Sequence, residues 1–305
     1  MRPPSRADSG DMRWALAAGA LCAAVALATG CGSAEVVSLE NVANAAVKTQ
    51  GVGTARFTFK GSVTFNHDHA QRFEFKGHGV ADWRRNSAEM KAVYRFPNAI
   101  QEFIEEQFGG PATADLILDG REGLVLYMRF PFLEQQLPRG KPWMKADIAK
   151  MGKAYGLDLD RLKETKQSDP DQMLDYLKSA VGVRRIGSDL VRREVTTHYA
   201  TIVKAETMIQ QAPRDQQKAM REYLKRLGIK TYPVDIWVGQ DGVVRKLATV
   251  LEYNQPSGDF VRMEVSETYY DFGVKTKIRP PAASSVLDVT PHLNARGHAP
   301  RPLSS

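Results

Sequence analysis

Residues 55–65 have the sequence ARFTFKGSVTF. Apolar and polar side chains alternate here: Phe57 and Phe59 share one parity, whereas Arg56 and Thr58 share the other. Because successive side chains of a β-strand point to opposite faces, this period of two predicts a strand with one buried and one solvated face. The pattern continues with Ala55, Val63 and Phe65 on the apolar face and Lys60, Ser62 and Thr64 on the polar face.

The same alternation recurs along most of the chain. It predicts further strands with the apolar positions Phe73, Phe75, Ala81 and Trp83; Met90, Ala92, Tyr94 and Phe96; Leu124, Leu126, Met128 and Phe130; Val195, Thr197 and Tyr199; Val234, Ile236 and Val238; and Val261, Met263 and Val265, with another strand over residues 243–253. Hairpin turns are expected at residues 66–70, at Asp119-Gly120 and at Asp241-Gly242. Such one-sided strands are typical of an antiparallel sheet that is covered on one face.

Four stretches have apolar residues at helical spacing instead. These predicted helices run from Ser38 as N-cap to Gly51, from Ile100 to Phe108, from Asp169 to Val181 and from Pro213 to Gly228. The fold class is therefore α+β, a large curved antiparallel β-sheet with amphipathic helices across its concave face. Such an arrangement can enclose an apolar space.

The N-terminal region has the features of an export signal. Three arginines precede an uncharged run, residues 14–30, and small residues lead to Cys31. The segment Ala-Thr-Gly-Cys at 28–31 resembles the bacterial lipobox, in which the cysteine receives a diacylglycerol and the peptide is cut before it. Ala28 stands where that signal prefers leucine. An uncleaved membrane anchor is the alternative, and translation from Met12 would also leave a signal.

This signal sets the predicted boundaries and the location. We predict a lipoprotein signal peptide over 1–30, a tether over 31–37, a lipid-binding domain over 38–290 and a flexible tail over 291–305. Acylation of Cys31 would hold the domain on the extracytoplasmic face of the cell membrane. The other cysteine, Cys22, leaves with the signal, so no disulfide can stabilise the mature fold.

Composition excludes disorder and disfavours a nucleic-acid site. The chain has 305 residues, of which 43% are hydrophobic and 25% charged, as in ordinary globular proteins. Its net charge of +7 is not concentrated in a run of lysines and arginines. Attraction to an anionic membrane surface therefore fits this charge better than nucleic-acid binding.

The sequence contains no recognisable catalytic motif. It has no Gly-x-Ser-x-Gly elbow, no His-Glu-x-x-His helix and no phosphate-binding glycine loop. The segment His67–His69, with His78 nearby, is the one candidate metal cluster, but it lies where a hairpin turn is expected and is interpreted as polar turn residues. His198 has no identifiable acid or nucleophile partner and is assigned a structural role. We therefore expect no enzymatic activity, no metal and no cofactor.

Three stretches resemble the LppX/LprG type of actinobacterial lipoprotein, within the LolA-like group. They are Val125–Ile148, which contains Gly140-Lys141-Pro142-Trp143; Asp169–Val203, which contains Thr196-Thr197-His198-Tyr199; and Pro233–Tyr253, which contains Trp237, Asp241-Gly242 and Arg245. The resemblance implies a half-barrel sheet with helices inside its curve. Some members bind lipids or lipoglycans between sheet and helices and move them across the envelope.

The predicted function is that of a surface lipoprotein that binds or carries a lipid or lipoglycan in an apolar cavity between sheet and helices. The predicted lining residues are Phe57, Phe59, Phe73, Phe75, Met90, Tyr94, Leu126, Met128, Tyr199, Ile236 and Met263. The helices Ile100–Phe108 and Met173–Val181 are expected to move as its cover. The alternative is a sensor or interaction lipoprotein that binds a protein partner of the envelope, and an extracytoplasmic enzyme is a third, disfavoured hypothesis.

Overall fold

Twelve β-strands form one sheet in the computed structural model, which describes residues 36–293 apart from 67, 110, 122, 155–179, 212–213 and 256–257. The strands are β1 (Thr54–Phe65), β2 (Asp68–Asp82), β3 (Ser87–Arg95), β4 (Thr113–Asp119), β5 (Val125–Arg129), β6 (Trp143–Asp147), β7 (Ala180–Val191), β8 (Glu194–Lys204), β9 (Thr231–Gly239), β10 (Val244–Asn254), β11 (Phe260–Tyr270) and β12 (Val286–Asp288). The α-helices are α1 (Val36–Val52), α2 (Asn98–Phe108), α3 (Ile148–Ala154), α4 (Ala205–Gln211), α5 (Arg214–Arg226) and α6 (Thr290–Leu293).

The strand order shows two meanders that meet in the middle of the sheet. The order is β12-β6-β5-β4-β3-β2-β1-β11-β10-β9-β8-β7. Strands β1 to β6 pair antiparallel with their neighbours in the chain, and so do β7 to β11. The halves join where β1 pairs antiparallel with β11, from Arg56 opposite Tyr270 to Phe65 opposite Val261. Strand β12 returns to one edge and pairs parallel with β6.

The alternation predicted for β1 separates the two faces of the sheet. Phe57 and Phe59 are buried, whereas Arg56 and Lys60 are exposed. Because directly opposite residues of paired strands share a face, the register extends these two environments across the sheet. We call the concave side that carries Phe57 and Phe59 the inner face, and the opposite side the outer face.

Helix α1 packs on the inner face through small apolar residues. Val42, Ala43 and Ala45 are each at most 2% exposed and belong to the main core. The Oγ1 of Thr49 donates to the carbonyl oxygen of Ala45 at 2.6 Å and accepts the backbone N–H of Val244 at 2.8 Å. The second of these bonds ties the C-terminal part of α1 to the first residue of β10.

Helices α4 and α5 form a second, smaller core beside the main one. Its buried residues are Ala205, Ile209, Leu224, Ile229 and Leu251. Helix α5 confirms the helix predicted between Pro213 and Gly228, and Met220 and Leu227 pack against this core as partly buried residues. Within the described ranges, none of the helices has the length and apolarity needed to cross a membrane.

A buried arginine fastens the ends of β8 and β10. Arg245 forms two 2.7 Å hydrogen bonds to the carboxylate of Glu194 and a 2.8 Å bond to Asp241. Burial alone would lower the pKa of Arg245, but the hydrogen bonds to the two carboxylates outweigh it, and the pKa is raised. The bidentate contact with Glu194 fixes the orientation of the guanidinium group in addition to pairing its charge.

Several boundaries differ from the sequence prediction. Helix α1 begins at Val36, so Ser38 lies inside the helix and is not its N-cap, and the last two residues of the expected tether are helical. Strand β2 begins at Asp68, which shortens the first hairpin turn. Val181 lies in β7 and not at the end of a helix, because pairing with β8 outweighs its helical spacing. The rest of that predicted helix, residues 169–179, lies outside the described residues.

Candidate ligand-binding site

Aromatic rings cover much of the inner face. Neighbouring ring centroids lie 5.1–6.5 Å apart, within the range in which aromatic pairs attract each other. The rings belong to Phe57, Phe59, Phe73, Phe75, Tyr94, Phe96, Phe130, Phe132 and Tyr269. Phe108 extends the cluster to α2, because its ring lies 5.9 Å from that of Phe132.

Glycines make room for three of these rings. The directly opposite pairs on β1 and β2 are Phe57 with Gly79, Phe59 with Gly77, and Gly61 with Phe75. A Cβ atom at Gly77 would lie 2.5 Å from the Phe59 ring and 2.1 Å from the carbonyl oxygen of Lys91. The ring therefore occupies the space that a side chain at Gly77 would need, and the aromatic surface depends on the absence of that side chain.

The structure brings all eleven predicted lining residues to the inner face. The eight that are buried in the main core are Phe57, Phe59, Phe73, Phe75, Met90, Tyr94, Tyr199 and Ile236. Leu126 is buried beside that core, and Met128 and Met263 are partly buried against it. Their common position is observed, whereas their role as a cavity lining stays a prediction.

Further inner-face residues were missed by the sequence analysis as site residues. Met144, Leu247 and Val265 are apolar, lie on β6, β10 and β11, and are only partly buried against the core. The signal for Val265 was present, since it continues the alternation of Val261 and Met263. These side chains give the inner face apolar surface that the described helices do not fully cover.

One carboxyl group lies within this apolar surface. Glu267 is 7% exposed and stands on the inner face between Phe59 of β1 and Leu247 of β10. The hydroxyl of Tyr269 donates a short hydrogen bond to it. Burial raises the pKa of Glu267 to about 7, although the bond from Tyr269 acts in the opposite direction. A buried carboxyl group with a raised pKa inside a binding surface is a candidate functional group.

His198 lies on the outer face between two carboxylates. Its Nε2 is 2.7 Å from Oδ1 of Asp235, and its Nδ1 is 3.3 Å from Oδ2 of Asp189. Its ring stacks on Trp237 at 4.2 Å, and Nε1 of Trp237 donates to Asp189 at 2.7 Å. The expectation that His198 has no acid partner is therefore wrong. The contacts join β7, β8 and β9, in agreement with a structural role.

The described part of the chain holds no group of three or more His, Cys, Asp or Glu side chains placed to bind a metal ion. His67 lies outside the described residues, and its interpretation as a turn residue stays a prediction. Cys31 also lies outside the described residues, so the lipid anchor at Cys31 stays a prediction from the sequence.

Comparison with known proteins gives one relative without an assigned activity and solved structures of low similarity. No protein-family model matches the chain. An uncharacterized 31.2 kDa protein of the rplA–rplJ intergenic region of Streptomyces griseus is 29% identical over 168 residues, which span 53% of this chain and 52% of that protein. The chain thus matches about half the length of this relative.

The solved structures found to be similar include two mycobacterial proteins and a LolA superfamily protein. Mycobacterium tuberculosis lipoprotein LppX matches 81% of this chain and all of its own, with a TM-score of 0.42 and 9% identity. LprF from Mycobacterium bovis matches 83% of this chain and all of its own, with a TM-score of 0.39 and 13% identity. A LolA superfamily protein from Nitrosomonas europaea matches 77% of this chain and 92% of its own, with a TM-score of 0.26 and 7% identity.

Proposed function

We propose that this domain binds the acyl part of a lipid or lipoglycan between the inner face and the helices, and carries it at the outer surface of the cell membrane. The observation that carries the proposal is the apolar inner face itself, whose aromatic core passes into the partly uncovered residues Met144, Leu247 and Val265. An apolar, concave surface with a few polar groups is the usual form of a small-molecule site. The polar group here is the carboxyl of Glu267 with the hydroxyl of Tyr269.

Energetics suit a carrier that must also release its cargo. Burying one methylene from water contributes about 0.8 kcal/mol, so two long acyl chains would bind almost irreversibly if they came from water. A lipid that comes from a bilayer leaves one apolar environment for another, and its tails gain little. Contacts with the polar part of the lipid then decide selectivity, and Glu267 and Tyr269 are inner-face groups that can make such contacts.

The covering helix must adjust when cargo leaves. An empty rigid cavity destabilises a protein by about 24 cal/mol per Å³. The free-energy cost of a void large enough for acyl chains would therefore exceed the free energy of unfolding of an ordinary domain. Helix α2 fits the role of a movable cover, because Ile104 is 1% exposed against the core while Phe103 on the same helix is 50% exposed. We propose that α2 closes onto the inner face when no lipid is bound.

A bulky residue on the inner face tests the site. We expect Val265→Trp to reduce lipid uptake at least fivefold, because the indole fills space that the acyl chains need. Lipids extracted from the purified protein are quantified by mass spectrometry, and uptake of a fluorescent fatty acid is titrated directly.

Val250→Trp is the matched control. Val250 lies on the outer face of β10, opposite Glu264, so the same change of side chain should leave uptake unaltered. Equal uptake by both variants and the unaltered chain, with thermal unfolding unchanged, would show that the inner face does not hold lipid.

The anchor is tested separately. Cys31→Ala should abolish fatty-acid labelling and move the protein from the membrane fraction to the soluble extracytoplasmic fraction, because stable attachment needs the two acyl chains of a diacylglycerol. Labelling with radioactive palmitate followed by fractionation measures both. Labelling that persists in the Cys31→Ala variant would place the acyl group elsewhere.

A protein partner is the second candidate function, favoured by exposed apolar residues on β7 and β8. Leu190 is 72% exposed, and Val195 directly opposite is 48% exposed. Strand β7 is an edge of the described sheet, where another chain can add a strand. A photoreactive residue at Leu190 should then cross-link one defined envelope protein in living cells, whereas the same residue at the exposed Lys275 should not.

A further inference from the structure

A groove crosses the outer face of the sheet above its middle strands. It has a volume of about 780 Å³ and runs across β11, β1, β2, β3 and β4. Its floor follows one row of directly opposite residues, Phe59, Gly77, Ala92 and Ala114. The outward side chains on either side of this row line the groove, so it is separate from the inner face on which the proposed cargo site lies.

The groove carries two lysines that face each other. Lys60 of β1 and Lys76 of β2 are directly opposite and exposed. Like charges at directly opposite positions of an antiparallel pair destabilise a sheet. Among the described residues, no carboxylate lies within ion-pair distance of either lysine. Lys91, which also lines the groove, is 3.0 Å from Asp115.

Three arginines of this face have carboxylate partners, in contrast to the two lysines. Arg56 pairs with Asp271 at 3.5 Å, Arg72 with Glu74 at 3.0 Å, and Arg262 with Glu264 at 2.8 Å. Lys60 and Lys76 therefore bring to the groove two positive charges that no described carboxylate neutralises. Hydroxyl groups of Thr58, Thr113, Ser266 and Thr268 line the same groove and supply further hydrogen-bond donors.

We propose that this groove binds the phosphate of an anionic phospholipid headgroup in the membrane to which the chain is tethered. The inference rests on the proposed anchor at Cys31, which would hold the domain at a bilayer surface. A convex face touches a plane along its middle strands, and β2 and β1 are the sixth and seventh of twelve in the described sheet. The exposed apolar side chain of Val93 on β3 lies directly opposite Lys76, in the same row as the two lysines, where it can contact the region below the phosphates. A phosphate group bound between Lys60 and Lys76 would neutralise their mutual repulsion and accept hydrogen bonds from both ammonium groups.

Lysine footprinting on the full lipidated chain tests the proposal. The protein is reconstituted into phosphatidylcholine vesicles with or without about one third phosphatidylglycerol, treated with a water-soluble acetylating reagent and analysed by mass spectrometry. We expect Lys60 and Lys76 to react about fivefold more slowly in the anionic vesicles. This factor corresponds to the attraction of one surface lysine to an anionic membrane. Salt at about 0.5 M should remove this protection.

Lys275 and Lys277, which are also exposed, serve as internal controls and should react equally in both vesicles. Equal rates at Lys60 and Lys76 in the two vesicles would overturn the proposal. Protection in neutral vesicles by inorganic phosphate alone would overturn the headgroup as ligand and identify a free anion instead. Sedimentation with neutral vesicles tests the anchor first, because an unacylated chain would not sediment with them. Lipid extraction tests the proposed cargo site separately.

Discussion

Gly77→Ala is expected to lower the free energy of unfolding by about 3 kcal/mol or more. The added Cβ would lie 2.1 Å from the carbonyl oxygen of Lys91 and 2.5 Å from the ring of Phe59. The ring can rotate away, but the carbonyl belongs to the paired backbone of β3, so strand pairing at the centre of the sheet must shift. Denaturant unfolding followed by tryptophan fluorescence measures the change.

Gly187→Ala is the control for this prediction. Gly187 also lies inside a strand, β7, but a Cβ there would meet nothing within 4 Å. We expect its effect to remain within about 0.5 kcal/mol. If both variants unfold at the same denaturant concentration, the phenylalanine rings do not depend on the glycines opposite them.

Glu267→Gln is expected to stabilise the protein at pH 8 by about 3 kcal/mol while changing little at pH 5. The folded state raises the pKa of Glu267 to about 7 from its ordinary value of 4.5, because burial disfavours the carboxylate. Between these two values the folded chain binds more protons than the unfolded chain, so this group's contribution to stability is full below pH 4.5 and is lost as pH rises through 7. Glutamine carries no charge, and its oxygen still accepts the hydrogen bond from Tyr269.

The measurement is thermal unfolding of both chains from pH 5 to pH 8. A gain of about 3 kcal/mol corresponds to a rise of roughly 6–10 °C in the unfolding midpoint at the high end of this range. Glu264→Gln is the control, since Glu264 lies on the outer face, pairs with Arg262 at 2.8 Å and should give no gain that grows with pH. A constant difference between Glu267→Gln and the unaltered chain would mean that Glu267 is ionised without penalty.

Strands with strict alternation could be predicted from the sequence. In β1 and β3 every second residue is apolar or glycine, and burial of one face is the physical cause of that pattern. Strands β4, β6, β7 and β12 were not predicted. Strand β4 has three successive apolar residues, Leu116, Ile117 and Leu118, of which all are buried, so its two faces do not differ in polarity. Strand β7 is an edge strand of the described sheet, and its solvent-exposed positions need not follow an apolar–polar alternation.

Polar groups were harder to predict, because strand pairing assembles their surroundings: Glu267 is placed between Phe59 and Leu247 only when β1 and β10 pair with β11. Glu267 interrupts the apolar alternation of β11, which could have identified it as a buried carboxyl group. Its hydrogen bond to Tyr269 spans only two residues. The partners of His198 were beyond sequence reasoning, since Asp235 is 37 residues away and contacts it only after β8 and β9 pair.

The pairing of β1 with β11 has a consequence for the order in which the chain folds. Each meander needs only local contacts between successive strands, whereas this central pairing joins Arg56 to Tyr270 across most of the domain. Contacts distant in sequence form slowly, because a long loop must close before they contribute any stability. Because the chain is synthesised from its N-terminus, it can therefore form its first meander early. It must keep the free edge of β1 unpaired until β11 arrives, and during that interval the chain is most exposed to aggregation and to proteases.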